Sequence, residues 1–283
     1  MSNVTDQLAY GALGLLPKSL WSRAVGTVAH ARLPRVITRA SISLFARAYS
    51  IDVSEAAEPL EEFRTLGAFF TRRLRTGARP IDRRPGWAVS PADGHILNSG
   101  RITDGALIQA KGRQFTVADL LGPEEGERFR DGHWVTVYLS PQDYHRVHHP
   151  VEGRLVRSRY VPGRLWPVNR IGVERVDDLF CVNERVITVV DSPVGRVASV
   201  MVGATSVGHI TVTYDDALHT NHGQAGFTRD YERPVSIQRG TQLGVFHLGS
   251  TVIVVFADPE VVLESLEPGQ VIRVGQGIAR RVG

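Results

Sequence analysis

Three short stretches of this 283-residue chain bring together side chains able to do chemistry. The first, Ser90-Pro91-Ala92-Asp93-Gly94-His95, puts a carboxylate in a tight turn ahead of a strand-like run. Asp-Gly is also a common turn dipeptide, so a purely structural role stands beside a catalytic one. The second runs from Tyr138 to Pro150 and holds His145, His148 and His149 within five positions. Imidazoles titrate near neutrality and serve as bases or metal ligands. A zinc site needs further ligands, and neither an HExxH pair nor a cysteine pair accompanies them, so no metal is expected. A base is the better use, because the chain also offers an aspartate to orient an imidazole and a serine to receive its help. The third stretch, Phe246-His247-Leu248-Gly249-Ser250-Thr251, leads into the apolar run 252–256. A Gly-Ser step would suit a turn into a buried strand. It is not a GxSxG elbow, and helix signals are missing around it, which disfavours ordinary serine-hydrolase chemistry.

The elements that must position these residues fall into two textures. Residues 1–50 carry six basic residues (Lys18, Arg23, Arg32, Arg35, Arg39, Arg47) against one acid, Asp6, although the whole chain has a net charge of only +4. Leu13, Leu16, Leu20, Trp21, Val25 and Val28 recur there at helical spacing, and Pro17 and Pro34 divide the segment into short helices. Such basic amphipathic helices lie in a membrane interface, or else pack on a core or a partner subunit. A further helical pattern covers 60–74, with Phe63, Leu66, Phe69, Phe70 and Leu74 on one side. From about Trp87 the chain becomes a series of Val-, Ile- and Thr-rich runs at 134–139, 186–190, 197–202, 209–214 and 252–256, separated by turn residues. No helical pattern alternates regularly with these runs, which argues against a doubly wound parallel sheet. The expected fold is therefore α+β: N-terminal amphipathic helices (1–58) followed by a predominantly antiparallel β domain (59–283). Residues 215–234 read as a long polar excursion or loop. Composition is that of an ordinary globular protein, and the single Cys181 excludes an internal disulfide framework. No run of about 18 apolar residues predicts a spanning helix, and the N-terminus lacks a secretory signal pattern.

The ordered set Pro91-Ala92-Asp93-Gly94, Tyr144-His145-Arg146-Val147-His148 and Leu248-Gly249-Ser250-Thr251 resembles bacterial phosphatidylserine decarboxylases. Phe69-Phe70-Thr71-Arg72-Arg73-Leu74, Arg79-Pro80-Ile81-Asp82, Ala110-Lys111-Gly112, Val161-Pro162-Gly163, Asn183-Glu184-Arg185-Val186 and Val202-Gly203-Ala204-Thr205 follow the same family order, whereas the N-terminal helices match in character only.

The resemblance implies a self-cleaving proenzyme. Its relay falls on Asp93, His148 and Ser250: His148 takes the hydroxyl proton, Asp93 steadies the imidazolium, and Ser250 Oγ attacks the carbonyl of Gly249. The ester then undergoes β-elimination, and the dehydroalanine hydrolyses to ammonia and a pyruvoyl cap. This leaves a large chain, 1–249, and a small chain that begins at residue 250. His145 matches a histidine tied to decarboxylation itself, and His149 receives no role. Decarboxylating an amino acid needs an electron sink, supplied by pyridoxal phosphate or a pyruvoyl group. The only lysines are Lys18 and Lys111, so a Schiff-base lysine is hard to place, whereas a pyruvoyl group needs none. The implied substrate is phosphatidylserine, whose amine condenses with the pyruvoyl group before carbon dioxide leaves and phosphatidylethanolamine is released. The implied setting is peripheral, on an anionic membrane surface at the cytoplasmic face, as a homodimer and without nucleic acid. Two alternatives remain: a non-catalytic β-rich lipid-binding or carrier module with Lys111 as its attachment point, and a zinc hydrolase using the three histidines.

Overall fold

The computed structural model describes residues 31–110, 112–205, 209–218, 220, 225–247 and 250–282. The helices expected within 1–30, Lys111 and Gly249 lie outside the described residues.

The apolar run after Ser250 sets the architecture. A strand that is apolar at nearly every position is buried on both faces, and 251–256 are entirely buried. Val252, Val254 and Phe256 enter one core with Val135, Val137, Leu139 and Met201. Ile253 and Val255 enter a second core with Trp134, Phe180, Val200 and Val202. Strand pleating sends neighbours to opposite faces, so one strand knits two cores together.

In chain order the strands are β1 (Trp87–Val89), β2 (Gly94–Arg101), β3 (Ala106–Ala110), β4 (Arg113–Thr116), β5 (His133–Leu139), β6 (Arg146–His148), β7 (Gly153–Val161) and β8 (Arg185–Ser192). They continue with β9 (Gly195–Val202), β10 (Ile210–Val212), β11 (Phe227–Ile237), β12 (Gln242–Phe246), β13 (Ser250–Phe256), β14 (Val261–Leu263), β15 (Val271–Ile272) and β16 (Gly277–Arg281). The main sheet has eight strands in the order β11-β7-β8-β9-β13-β5-β2-β15, and every pairing in it is antiparallel. A smaller sheet, β10-β12-β6, carries the histidine stretch. The α+β expectation and its antiparallel character hold.

Two local expectations need correction. Residues 215–234 are not all loop, because Phe227 to Ile237 forms edge strand β11, paired to β7 with a bulge between Asp230 and Val235. Phe227, Tyr231 and Val235 pack on the core, and this burial stabilises a strand in a polar-looking segment. The helical pattern over 60–74 is broken into a 3₁₀ turn (Leu60–Glu62) and a short helix (Leu66–Phe70). Thr65 caps that second helix by accepting from the amide of Ala68, a new start that an uninterrupted helix would not have.

Pro34 immediately precedes α1 (Arg35–Ala48), and the short helix Leu66–Phe70 is α2. Ile42 and Ala46 of α1 pack on Phe69 of α2, which ties α1 to the β domain. The other side of α1 leaves Val36 and Leu44 81% and 70% exposed, among the exposed arginines 32, 35, 39 and 47. No helix among the described residues is long and apolar enough to cross a membrane.

Ile253 is fully buried in the central strand. Ile253→Ala is expected to lower the unfolding free energy by about 2–5 kcal/mol in urea titrations; a loss under about 1 kcal/mol would contradict the packing assigned to β13.

Candidate active site

The residues singled out in the sequence are carried by one end of the main sheet and the small sheet beside it. His95 of β2 pairs with Tyr138 of β5, and Tyr138 pairs on its other side with Thr251 of β13. Asp93, just before β2, and Ser250, the first residue of β13, therefore lie at the same end of the sheet. Only β5 separates them, a lateral distance of roughly 10 Å at ordinary strand spacing. Gly94 makes this approach possible, since a Cβ there would come within 2.2 Å of the Tyr138 carbonyl oxygen. Of Ser250 only the backbone is described, in register with Leu139.

The chain leaving β5 turns through 140–145 into β6. The amide of His148 donates to the Pro91 carbonyl (2.8 Å), which joins β6 to the turn that carries Asp93. On its other edge β6 pairs with β12, His148 opposite Gln242. The amide of Phe246 donates to the His145 carbonyl (3.0 Å). His145 is thus level with the end of β12 from which the chain passes to Ser250, and His148 lies about 10 Å further back along the strand.

Each imidazole has a defined protonation state. His148 Nδ1 is 2.7 Å from the Gly240 carbonyl oxygen, which only accepts, so Nδ1 carries the proton and Nε2 is the basic nitrogen. Nε2 lies 3.2 Å from the Tyr144 hydroxyl, which donates to it. Gly240 has φ +79°, and a Cβ there would meet Ile81 at 2.7 Å. A glycine is required to present this carbonyl. Burial lowers the pKa of His148 below the ordinary imidazole value, against the opposing pull of the Gly240 hydrogen bond and the charge of Asp93. His145 is fully buried, donates from Nδ1 to the Asp143 carbonyl (2.8 Å), and packs on Phe70 with ring centroids 3.9 Å apart. Its Nε2 has no hydrogen-bond partner among the described residues, and burial lowers its pKa to about 3. His149 is likewise pushed down, to about 4.

Asp93 takes its hydrogen bonds from Arg79 and the Val274 amide. Arg79 donates from Nε to both carboxylate oxygens (3.0 and 2.8 Å) and from Nη2 (2.6 Å), and the amide of Val274 donates to Oδ1 (2.8 Å). The other side of the Arg79 guanidinium grips Glu55 with two bonds of 2.9 and 2.7 Å. Burial works against the charge of Arg79, but the two carboxylates more than offset it and raise its pKa, while Arg79 holds Glu55 below the usual carboxylate range. No hydrogen bond joins Asp93 to His148 among the described residues. Asp93 acts on that imidazole through charge, and Gly240 fixes the tautomer. Among the described residues no group of three or more His, Cys, Asp or Glu side chains is arranged to hold a metal ion.

The phosphatidylserine decarboxylase family model matches residues 66–280. A phosphatidylserine decarboxylase proenzyme of Anaeromyxobacter sp. (strain K) is 44% identical over 277 residues, covering 96% of this chain and 98% of the relative. Those of Myxococcus xanthus and Brevibacillus brevis are each 40% identical and cover 97% of this chain, and 99% and 98% of the relatives. The chain belongs to the phosphatidylserine decarboxylase family.

The match begins at α2, so Arg72 and Arg79 fall within the family region together with the three stretches singled out in the sequence. Both arginines were visible in the sequence as parts of matching stretches and carried no assigned role. Neither the Arg79 to Asp93 ion pair nor the Gly240 carbonyl has a local signature, because their partners are 14 and 92 positions away.

Buried neutral histidines make stability depend on pH in a definite direction. Below pH 6.5 the unfolded chain protonates His145 and His149, while the folded chain does so only near pH 3 and 4. The unfolded state then binds more protons, so stability falls as pH falls, by up to about 1.4 kcal/mol per unit for each histidine. Urea midpoints are expected to drop steadily from pH 6.5 to 4.5, and to drop less in His149→Gln. A flat profile, or no change in slope in the variant, would contradict the burial of these groups.

Proposed function

We propose that the chain is a phosphatidylserine decarboxylase proenzyme that cuts itself between Gly249 and Ser250 and converts residue 250 into a pyruvoyl group. The observation that carries this reading is that Asp93 and the first residue of β13 lie at one end of the main sheet, with His145 level with the approach to residue 250 and His148 bonded through its amide to the turn that carries Asp93. Nothing in that arrangement favours a non-catalytic carrier.

The residues suit the chemistry of cleavage. His148 with Nδ1–H committed to Gly240 has Nε2 left to take the Ser250 hydroxyl proton once the Tyr144 hydroxyl moves aside. Asp93, kept at its post by Arg79 and the Val274 amide, stabilises the imidazolium by its charge. Ser250 Oγ then bonds to the Gly249 carbonyl carbon as the C–N bond breaks, and the proton held on His148 passes to the leaving amine. Pairing of β13 to β5 and β9 holds residue 250 in place before and after the cut.

The surroundings also fit a pyruvoyl group, by an observation independent of the family: the uncharged Nε2 of His145 lies buried, with no hydrogen-bond partner among the described residues, beside the strand end that leads to residue 250. The group supplies an electron sink for the electrons released when carbon dioxide leaves an amino acid. His145, kept neutral by burial, can hold or deliver a proton at Nε2 or accept one from the substrate amine. The exposed apolar and basic side of α1 supports peripheral attachment to an anionic bilayer at the cytoplasmic face, where phosphatidylserine is reached without a spanning helix.

Register favours a second assignment of the base, since His145 and not His148 is level with the end of β12 nearest residue 250. Variants separate the two. Ser250→Ala is expected to remain a single chain that releases no carbon dioxide from phosphatidylserine vesicles. His148→Ala and Asp93→Asn are expected to slow cutting by about a hundredfold or more, the usual scale for a lost base. His145→Ala is expected to cut normally and decarboxylate poorly. Normal cutting in His148→Ala with blocked cutting in His145→Ala would move the base to His145, and normal cutting in Ser250→Ala would end the proposal.

A further inference from the structure

Arg72 is the charge that the cleavage chemistry leaves unused. It follows α2, is 5% exposed, and lines two cavities at once. One is the cleft that contains Asp93, Arg79 and Tyr144. The other is a recess of 340 Å³ walled by Arg64, Arg72, Arg73 and Arg146, with Glu58 and Glu62 as its only acids. Arg79 is neutralised by two carboxylates, but Arg72 is not. Its Nη2 donates to the Gln142 carbonyl (3.2 Å), while Nε and Nη1 are buried without a hydrogen-bond partner among the described residues. Desolvation lowers its pKa, yet a guanidinium keeps its proton. A buried cation with two unused donor nitrogens is costly unless an anion completes it.

The remaining wall fits the same occupant. Arg146 is fixed by donating from Nε to the Thr71 and Arg72 carbonyls (2.9 and 3.3 Å) and from Nη1 to Gln242 Oε1 (2.7 Å). It belongs to β6, between His145 and His148, so the recess and the candidate active site share this strand. Arg64 and Arg73 are exposed at its mouth. Four guanidinium groups against two carboxylates give the recess a net positive charge, and arginine forks match the paired oxygens of a phosphodiester. The volume falls within the range of about 300–1,000 Å³ for small-molecule sites. The recess also lies beside the elements that carry α1, whose exposed apolar side chains suit a lipid surface.

We propose that this recess receives the phosphodiester of the lipid headgroup, with Arg72 as its buried anchor and Arg146, Arg64 and Arg73 as the surrounding positive wall. The inference rests on the decarboxylase reading for the identity of the lipid. Arg72 then fixes the headgroup by the part that substrate and product share, while the serine end extends toward His145.

The test uses the uncut Ser250→Ala chain, in which no turnover obscures binding. Calorimetry is run with glycerophosphoserine, glycerophosphoethanolamine, free serine and inorganic phosphate, on that chain and on the same chain carrying Arg72→Gln or Arg72→Lys. Both glycerophospho compounds are expected to bind, to weaken by about tenfold or more in Arg72→Gln, and to bind with intermediate strength in Arg72→Lys. Free serine is expected to be indifferent to residue 72. Loss of glycerophosphoserine binding alone would make Arg72 a carboxylate clamp and overturn the proposal. Equal binding of inorganic phosphate would make the recess a free-phosphate site, with the same consequence, as would no binding or unchanged affinities. Thermal unfolding checks that each variant folds; if Arg72→Gln does not, Arg72→Lys decides, with about threefold weaker binding expected and unchanged binding counting against the proposal. Carbon dioxide release by the wild-type chain judges the decarboxylase reading separately.

Discussion

Everything in this structure depends on β13 being gripped from both sides. Six or seven residue pairs join it to β5 and β9, and its side chains feed both hydrophobic cores. A strand so held has no freedom to shift register, because a one-residue slip would exchange its two faces. Residue 250 is therefore set at the end of the sheet by the burial of 251–256, and the same burial would retain a fragment beginning there after the backbone is cut. The rest of that fragment is also tied in, through β14 and β16 to β1 and through β15 to β2.

Around that fixed point, burial decides which groups are charged. Burial lowers the pKa of all three histidines, outweighing the carbonyl hydrogen bonds of His145 and His148 and the charge of Asp93 near His148, while His148 adds to the effect at His149. Asp143 and Tyr144 are pushed toward their protonated forms for the same reason, Tyr144 to about 12. Charge survives where it is compensated, in the Glu55, Arg79 and Asp93 cluster. The result is a neutral, base-bearing region bordered by one balanced ion cluster and by Arg72 and Arg146, which have no salt bridge among the described residues. Such a division suits an amino-acid headgroup, which brings its own anions and an amine.

How much of this was legible in the sequence follows from the range of each interaction. The apolar runs at 134–139, 186–190, 197–202 and 252–256 announced buried strands because side-chain periodicity is local, and all four became strands of the main sheet. The histidine and Gly-Ser stretches were conspicuous by composition. The long-range pairings were not: a tautomer set by a carbonyl at Gly240 and a carboxylate claimed by Arg79 depend on the folded topology. The strand at 227–237 escaped notice because Arg229, Asp230, Glu232 and Arg233 mask the packing of Phe227, Tyr231 and Val235. The helix expected over 60–74 was overestimated because Phe63, Leu66 and Phe69 owe their spacing to contact with α1 rather than to one continuous turn.

The most direct measurement is the mass of the fragment that begins at residue 250, taken from freshly purified protein before and after treatment with an amine and a hydride reductant. The account predicts two chains, the smaller one lacking the serine nitrogen at its start, and gaining the mass of the trapped amine on reduction. A single intact chain, or a small chain that begins with an unaltered serine and traps nothing, would contradict it.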